Sequence, residues 1–122
     1  MDMNMVVLSG KLAAPPELRK FDSGSRLLRS LVTARSDTPR RRVDVIPVTL
    51  WDPAQDHEII GAPPGQKVWV LGTVQRRFWS STEGRRSRLE VVAYHMQRAE
   101  ARATAATGTG DDALGEGIRR VE

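Results

Sequence analysis

KVWVLGTVQRRFW, residues 67–79, is the stretch on which the reading of this chain turns. β-Branched and aromatic residues dominate it, and its faces alternate. Val68, Val70, Val74 and Phe78 share one side; Trp69, Leu71, Thr73, Gln75, Arg77 and Trp79 share the other. A period of two over that length predicts a long strand with its valine face toward a core. Its other face then carries rings and a cation outward. Residues 80–84, SSTEG, predict a hairpin turn. Residues 86–96 return as a strand, with Leu89, Val91 and Ala93 on one face.

Upstream of this hairpin the same logic finds more strands. Residues 43–51, VDVIPVTLW, place Ile46, Val48 and Leu50 on one side and Val45, Pro47, Thr49 and Trp51 on the other. Pro47 has no N–H to give to a ladder, so this strand is an edge or is bulged there. Residues 26–35, RLLRSLVTAR, set Leu28, Ser30, Val32 and Ala34 against Arg29, Thr33 and Arg35. Residues 4–14 form an apolar run in which Gly10 marks a bend or a close backbone approach. Pro15-Pro16 stops it, residues 18–21 extend again, and Asp22-Ser23-Gly24 is a turn. Between Trp51 and Gly61, PAQDHEII predicts a short helix, with Asp52 as N-cap and Pro53 at its first position.

The pattern predicts an all-β chain of about five strands, with one short helix between the third and fourth. That order matches a five-stranded Greek-key barrel of the OB type, although SH3-like and other small barrels share much of it. Residues 1–100 are expected to fold as one domain. Residues 101–122, rich in small and charged side chains, are expected to be a disordered tail.

Composition narrows the chemistry. The chain of 122 residues has no Cys, which removes disulfides, thiol nucleophiles and thiolate metal sites. His57 and His95 are the only histidines, too few for a histidine metal centre. Asp52, Asp56 and Glu58 are better read as partners of a helix start than as a metal cluster. No metal or cofactor is expected. The sequence offers no nucleophile paired with a base and no phosphate loop, so no enzymatic activity is expected. No apolar run approaches the length of a membrane span, and the first residues lack the form of a signal peptide. A cytoplasmic, nucleoid-associated protein is the expectation.

The 19 Lys+Arg outnumber the 15 Asp+Glu, and all but Lys11, Lys20 and Lys67 of the basic residues are arginine. Guanidinium is planar, pairs bidentately with phosphate and stacks on rings, so the balance points to a polyanion. Binding a single strand requires ring faces for unstacked bases and cations along the phosphates. The candidates are Trp51 and Trp79 as ring faces. Arg76, Arg77, Arg85, Arg86 and Arg88 surround the last hairpin. Arg29 and Arg35 lie on the second strand, and Arg40, Arg41 and Arg42 in the loop after it. Trp69 is read equally as a subunit contact.

These stretches together resemble the bacterial single-stranded DNA-binding proteins. The matching segments are residues 4–24 (NMVVLSGKLAAPPELRKFDSG), 31–35 (LVTAR), 43–52 (VDVIPVTLWD) and 65–93 (GQKVWVLGTVQRRFWSSTEGRRSRLEVVA). The signature is Pro16, Glu17 and Arg19, then Gly65, Val68, Val70, Gly72, Arg77 and Trp79, then Gly84 and Arg86. The resemblance implies an OB-fold homotetramer that coats single-stranded DNA without sequence preference, in replication, repair or recombination. Trp79 matches a Trp of the family and Trp51 a position commonly Phe. Thr38 and Val45 stand where the family usually has aromatic platforms, and Pro47 where a basic residue is common. Those losses leave a second class open, a primosome-type OB module that binds proteins and only weakly DNA. The end of the chain, GIRRVE, lacks the acidic, aromatic tip of the major members. The chain thus resembles a short-tailed secondary paralogue, and recruitment of replication or repair enzymes through its tail is not expected.

Overall fold

Alternating small apolar and polar side chains produce six strands: β1 (Val6–Leu12), β2 (Glu17–Lys20), β3 (Arg26–Ser36), β4 (Arg42–Trp51), β5 (Lys67–Ser81) and β6 (Gly84–Arg98). The computed structural model describes residues 1–99; the tail expected at 101–122 lies outside the described residues. One sheet runs in the order β1-β5-β6-β4-β3-β2, and a further pairing of β1 with β3 closes it into a barrel. All neighbours are antiparallel except β4 and β6. This is the expected all-β Greek-key barrel, with one stave split. After Pro15-Pro16 the chain leaves β1, and β2 joins the same edge of β3 further along, at Arg26–Arg29 rather than Val32–Thr33.

The inward faces interlock as alternation predicts. Leu12, Leu28, Val32, Val48, Leu50, Val68, Val70, Val91, Ala93 and Met96 form the core, with Ile59 and Ala62 plugging it from the β4–β5 connection. Met96 breaks the odd-numbered rhythm of Val91 and Ala93. The register slips between Leu71/His95 and Gly72/Ala93, so Tyr94 is an extra residue that returns even positions to the core.

Two glycines let the staves approach. A methyl at Gly10 would collide with the Thr33 carbonyl oxygen, and one at Gly72 with the Val92 carbonyl oxygen and the Ala93 Cα. Gly10 thus marks the close approach expected of it.

The short helix expected at residues 53–60 is absent; the segment is a series of turns. Asp52, the expected N-cap, sits at φ 48° and turns its carboxylate back to accept from the Arg26 amide at 2.9 Å. The Arg26 guanidinium donates to the Pro53 carbonyl oxygen at 2.6 Å. The His57 ring accepts from the Ile59 amide, and the backbone bonds run from Ile60 to His57 and from Ala62 to Ile59. The local donors are thereby committed to three-residue turns that drive Ile59 into the core.

β4 meets β6 only at Val48–Leu50 against Val91–Ala93. Pro47 stands where the two strands part, so β4 is an edge for residues 42–47 and an inner stave thereafter. Below the junction a cleft of about 320 Å³ opens between β4 and β6, lined in part by Ile46, Val74, Leu89 and Val91. Among the described residues no helix is long and apolar enough to cross a membrane.

Gly72→Ala is expected to cost about 1–3 kcal/mol or more of stability, because the obstacle is backbone that cannot rotate away. Urea denaturation checks it; an unchanged midpoint would contradict the close approach.

Candidate nucleic-acid interface

Register across β3, β4, β6 and β5 places Trp51 and Trp79 on the same outward surface, at opposite ends. Trp51 is opposite Leu27, and Trp79 is opposite Arg86. Along β6 the two ends lie about 25 Å apart at ~3.3 Å per residue. Both indole rings stay open, 46% and 42% exposed. An exposed ring on a sheet face offers a flat apolar surface to another flat ring.

Between the two tryptophans lie the arginines. Arg77 faces Arg88 directly across the hairpin, and the Arg88 guanidinium is 5.9 Å from the Trp79 ring centre. Two like charges side by side repel, and a buried carboxylate relieves that. Glu90, 5% exposed, lies 3.7 Å from Arg77 and 3.9 Å from Arg88. Its other oxygen accepts from the Thr49 hydroxyl at 3.4 Å. Thr49 is buried although alternation puts it on the outward face, because β4 there is flanked by both β3 and β6. Among the described residues no donor reaches hydrogen-bonding geometry to Glu90 Oε1, so its link to the arginines is Coulombic. Arg29 continues the row, between Glu17 and Thr49. Arg86 donates to Glu83 near the hairpin tip.

At the far end Trp51 is stacked on Phe21, with ring centres 5.9 Å apart and planes at 29°. Sequence reading did not single out Phe21. It precedes the turn that joins β2 to β3, and only the pairing of β3 with β4 brings that turn beside Trp51. Such a partner props the indole without covering its whole surface.

The remaining candidates are scattered. Arg35 is exposed opposite Val43. Arg40 and Arg41 are exposed in the loop 37–41, and Arg42 is held by Asp44, with its Nε 3.0 Å from both carboxylate oxygens. Because β4 and β6 run parallel, this loop and the β5–β6 tip lie at the same end of the barrel. Arg76 and Arg85 are not on the Trp79 surface. Arg76 is opposite Leu89, Arg85 is opposite Ser80, and both belong to the reverse face of the hairpin. Thr38 and Val45 bring no ring, and Val45 is an exposed aliphatic beside Thr33. Trp69 lies on β5 opposite Ser9 of β1, well away from Trp79 and near the exposed Val7. Asp52 and Glu58 spend their carboxylates on the Arg26 and Arg98 amides.

Two open ring surfaces at the ends of a row of arginines can hold unstacked planar groups and the anions that link them. Residues 3–99 match the single-strand binding protein family. The chain belongs to that family. It is 29% identical over 113 residues to the single-stranded DNA-binding proteins of two strains of Streptococcus pneumoniae, covering 88% of this chain and 72% of each relative. Among solved structures, a Plasmodium falciparum SSB complex with ssDNA superposes on 82% of this chain and 97% of that one. The TM-score is 0.69 at 14% identity, a likeness of fold.

Glu90→Gln is expected to destabilise the fold by about 1–3 kcal/mol, since it leaves Arg77 and Arg88 facing each other without a counter-charge. Arg88→Gln in the same chain should recover part of that loss. Denaturation midpoints of the single and double variants check both, and additive losses would contradict the shared carboxylate.

Proposed function

We propose that this protein binds single-stranded DNA without sequence preference, coating and protecting it during replication, repair or recombination. The observation that carries the reading is the pair of exposed tryptophans, Trp51 and Trp79, at the two ends of one arginine-bearing sheet surface. Every base has a π-face, so stacking on indole is tolerant of sequence, while guanidinium groups follow the phosphates. A duplex hides its base faces in its own stack and loses that term.

Trp51, Trp79, Arg29, Arg77, Arg86 and Arg88 line this path. Arg40, Arg41 and Arg42 flank it from the neighbouring loop, with Arg35 at the end of β3. Roles follow from position. The tryptophans stack bases, and Arg77 and Arg88 hold phosphates in a geometry set by Glu90. The loop arginines raise the local potential that draws the strand in. Nothing in this scheme makes or breaks a bond, and the protein acts as a non-enzymatic binder. A homotetramer in the cytoplasm, associated with the nucleoid, completes the reading. The exposed Val7 and Trp69 on neighbouring β1 and β5, ten residues along β5 from Trp79, support subunit contact there.

Titration with oligo-dT and with a duplex of equal length tests the function. Affinity for the single strand should be at least tenfold higher at moderate salt. It should fall steeply with salt, by ~0.7 in the log–log slope for each phosphate neutralised. Equal affinity for both forms would contradict stacking. Absence of binding to either would favour a protein-interaction module instead.

Trp79→Ala should weaken oligo-dT binding by about 1–3 kcal/mol. Trp69→Ala should leave that affinity near its starting value and change the sedimentation mass; the reverse pattern would overturn the division of roles.

A further inference from the structure

Phe78 follows the face of Val68 and Val70, yet it is 53% exposed. The reason is geometric. β1 stops pairing with β5 at Gly72, and β4 joins β6 only from Val91 onward. The hairpin beyond those points stands clear of the barrel, and its inward face has no core beneath it. That face holds Arg76 and Phe78 from β5, and Arg85, Ser87 and Leu89 from β6. The Arg85 guanidinium lies over the Phe78 ring at 4.7 Å, and Arg76 donates to the Ser87 hydroxyl at 3.1 Å. The face therefore repeats on the reverse of the hairpin what Trp79 and Arg88 form on the front: an open ring beside fixed guanidinium groups.

We infer that Phe78 and Arg85 form a second stacking platform for the same single strand, which passes around the free hairpin from Trp79 to its reverse side. The inference rests on the proposed single-strand binding. Charge selects this occupant over a second copy of the chain. A two-fold contact sets a patch against its own copy, which would gather the Arg76 and Arg85 guanidinium groups of both copies into one interface, while Asp44 in the adjoining cleft is already held by Arg42. A polyanion with unstacked rings meets both features at once.

Full-length Phe78→Ala, Phe78→Leu and Phe78→Trp, titrated with oligo-dT, test this. Alanine and leucine should each weaken binding about fivefold to a hundredfold, and tryptophan should retain it. Sedimentation mass and the urea midpoint should stay at wild-type values, as suits an exposed side chain. The added indole of Phe78→Trp should also deepen the fluorescence quenching by oligo-dT. Full affinity in the alanine or leucine variant would overturn the platform, and so would a changed mass, which would make the face a subunit contact. If wild type binds and only these variants fail to differ, the second platform alone falls. If wild type does not bind oligo-dT, the function proposed above falls and the platform with it.

Discussion

Barrel closure depends on two places where a carbonyl oxygen occupies the volume of a side chain: Thr33 against Gly10, and Val92 against Gly72. At Gly10, β1 reaches across to β3 and the sheet closes. At Gly72, β5 passes close against β6 where the register slips at Tyr94. With those approaches made, the valine faces of β5 and β6 meet Leu12, Leu28 and Val48 in one core. Beyond Gly72, β1 no longer accompanies β5. Asn4 takes over briefly, its side chain bonding both the amide and the carbonyl of Val74.

The free hairpin is a consequence of that closure. β5 and β6 have 15 residues each, more than the barrel can use. Their surplus length carries Trp79, Arg77, Arg86 and Arg88 on one side and Phe78, Arg76 and Arg85 on the other. Packing does not hold these side chains, so electrostatics does. Glu90 sits at the hairpin's root, buried among groups of the outward face, and balances Arg77 and Arg88 without exposing a negative charge to an approaching anion. Trp51, at the opposite end, is held by the Phe21 ring instead.

Much of this was legible in the residues. Strand positions and most faces follow from alternation, which put Leu28, Ser30 and Val32 inside and Arg29 and Thr33 outside. The outward direction of Trp51 and Trp79 follows from the same count. What alternation cannot report is where a strand leaves the barrel. Val74 and Phe78 keep the rhythm of Val68 and Val70 but outrun the core, so they are exposed. Thr49 departs from alternation in the opposite sense, since its burial depends on two flanking strands. Asp52-Pro53 after Trp51 predicts a helix start that does not form. The Arg26 amide, distant in sequence, takes the capping carboxylate. Phe21 needed the β2–β3 turn to be carried beside Trp51, a contact with no local signature.

In the proposed mode of binding, bases stack on Trp51 and Trp79 and not on Trp69. Intrinsic fluorescence during an oligo-dT titration tests it most directly, comparing wild type with the Trp51→Phe, Trp79→Phe double variant, whose remaining indole is Trp69. Strong quenching is expected in wild type and almost none in the double variant at saturating DNA. Wild-type quenching that persists in the double variant, or its absence in wild type under conditions where DNA is bound, would contradict it.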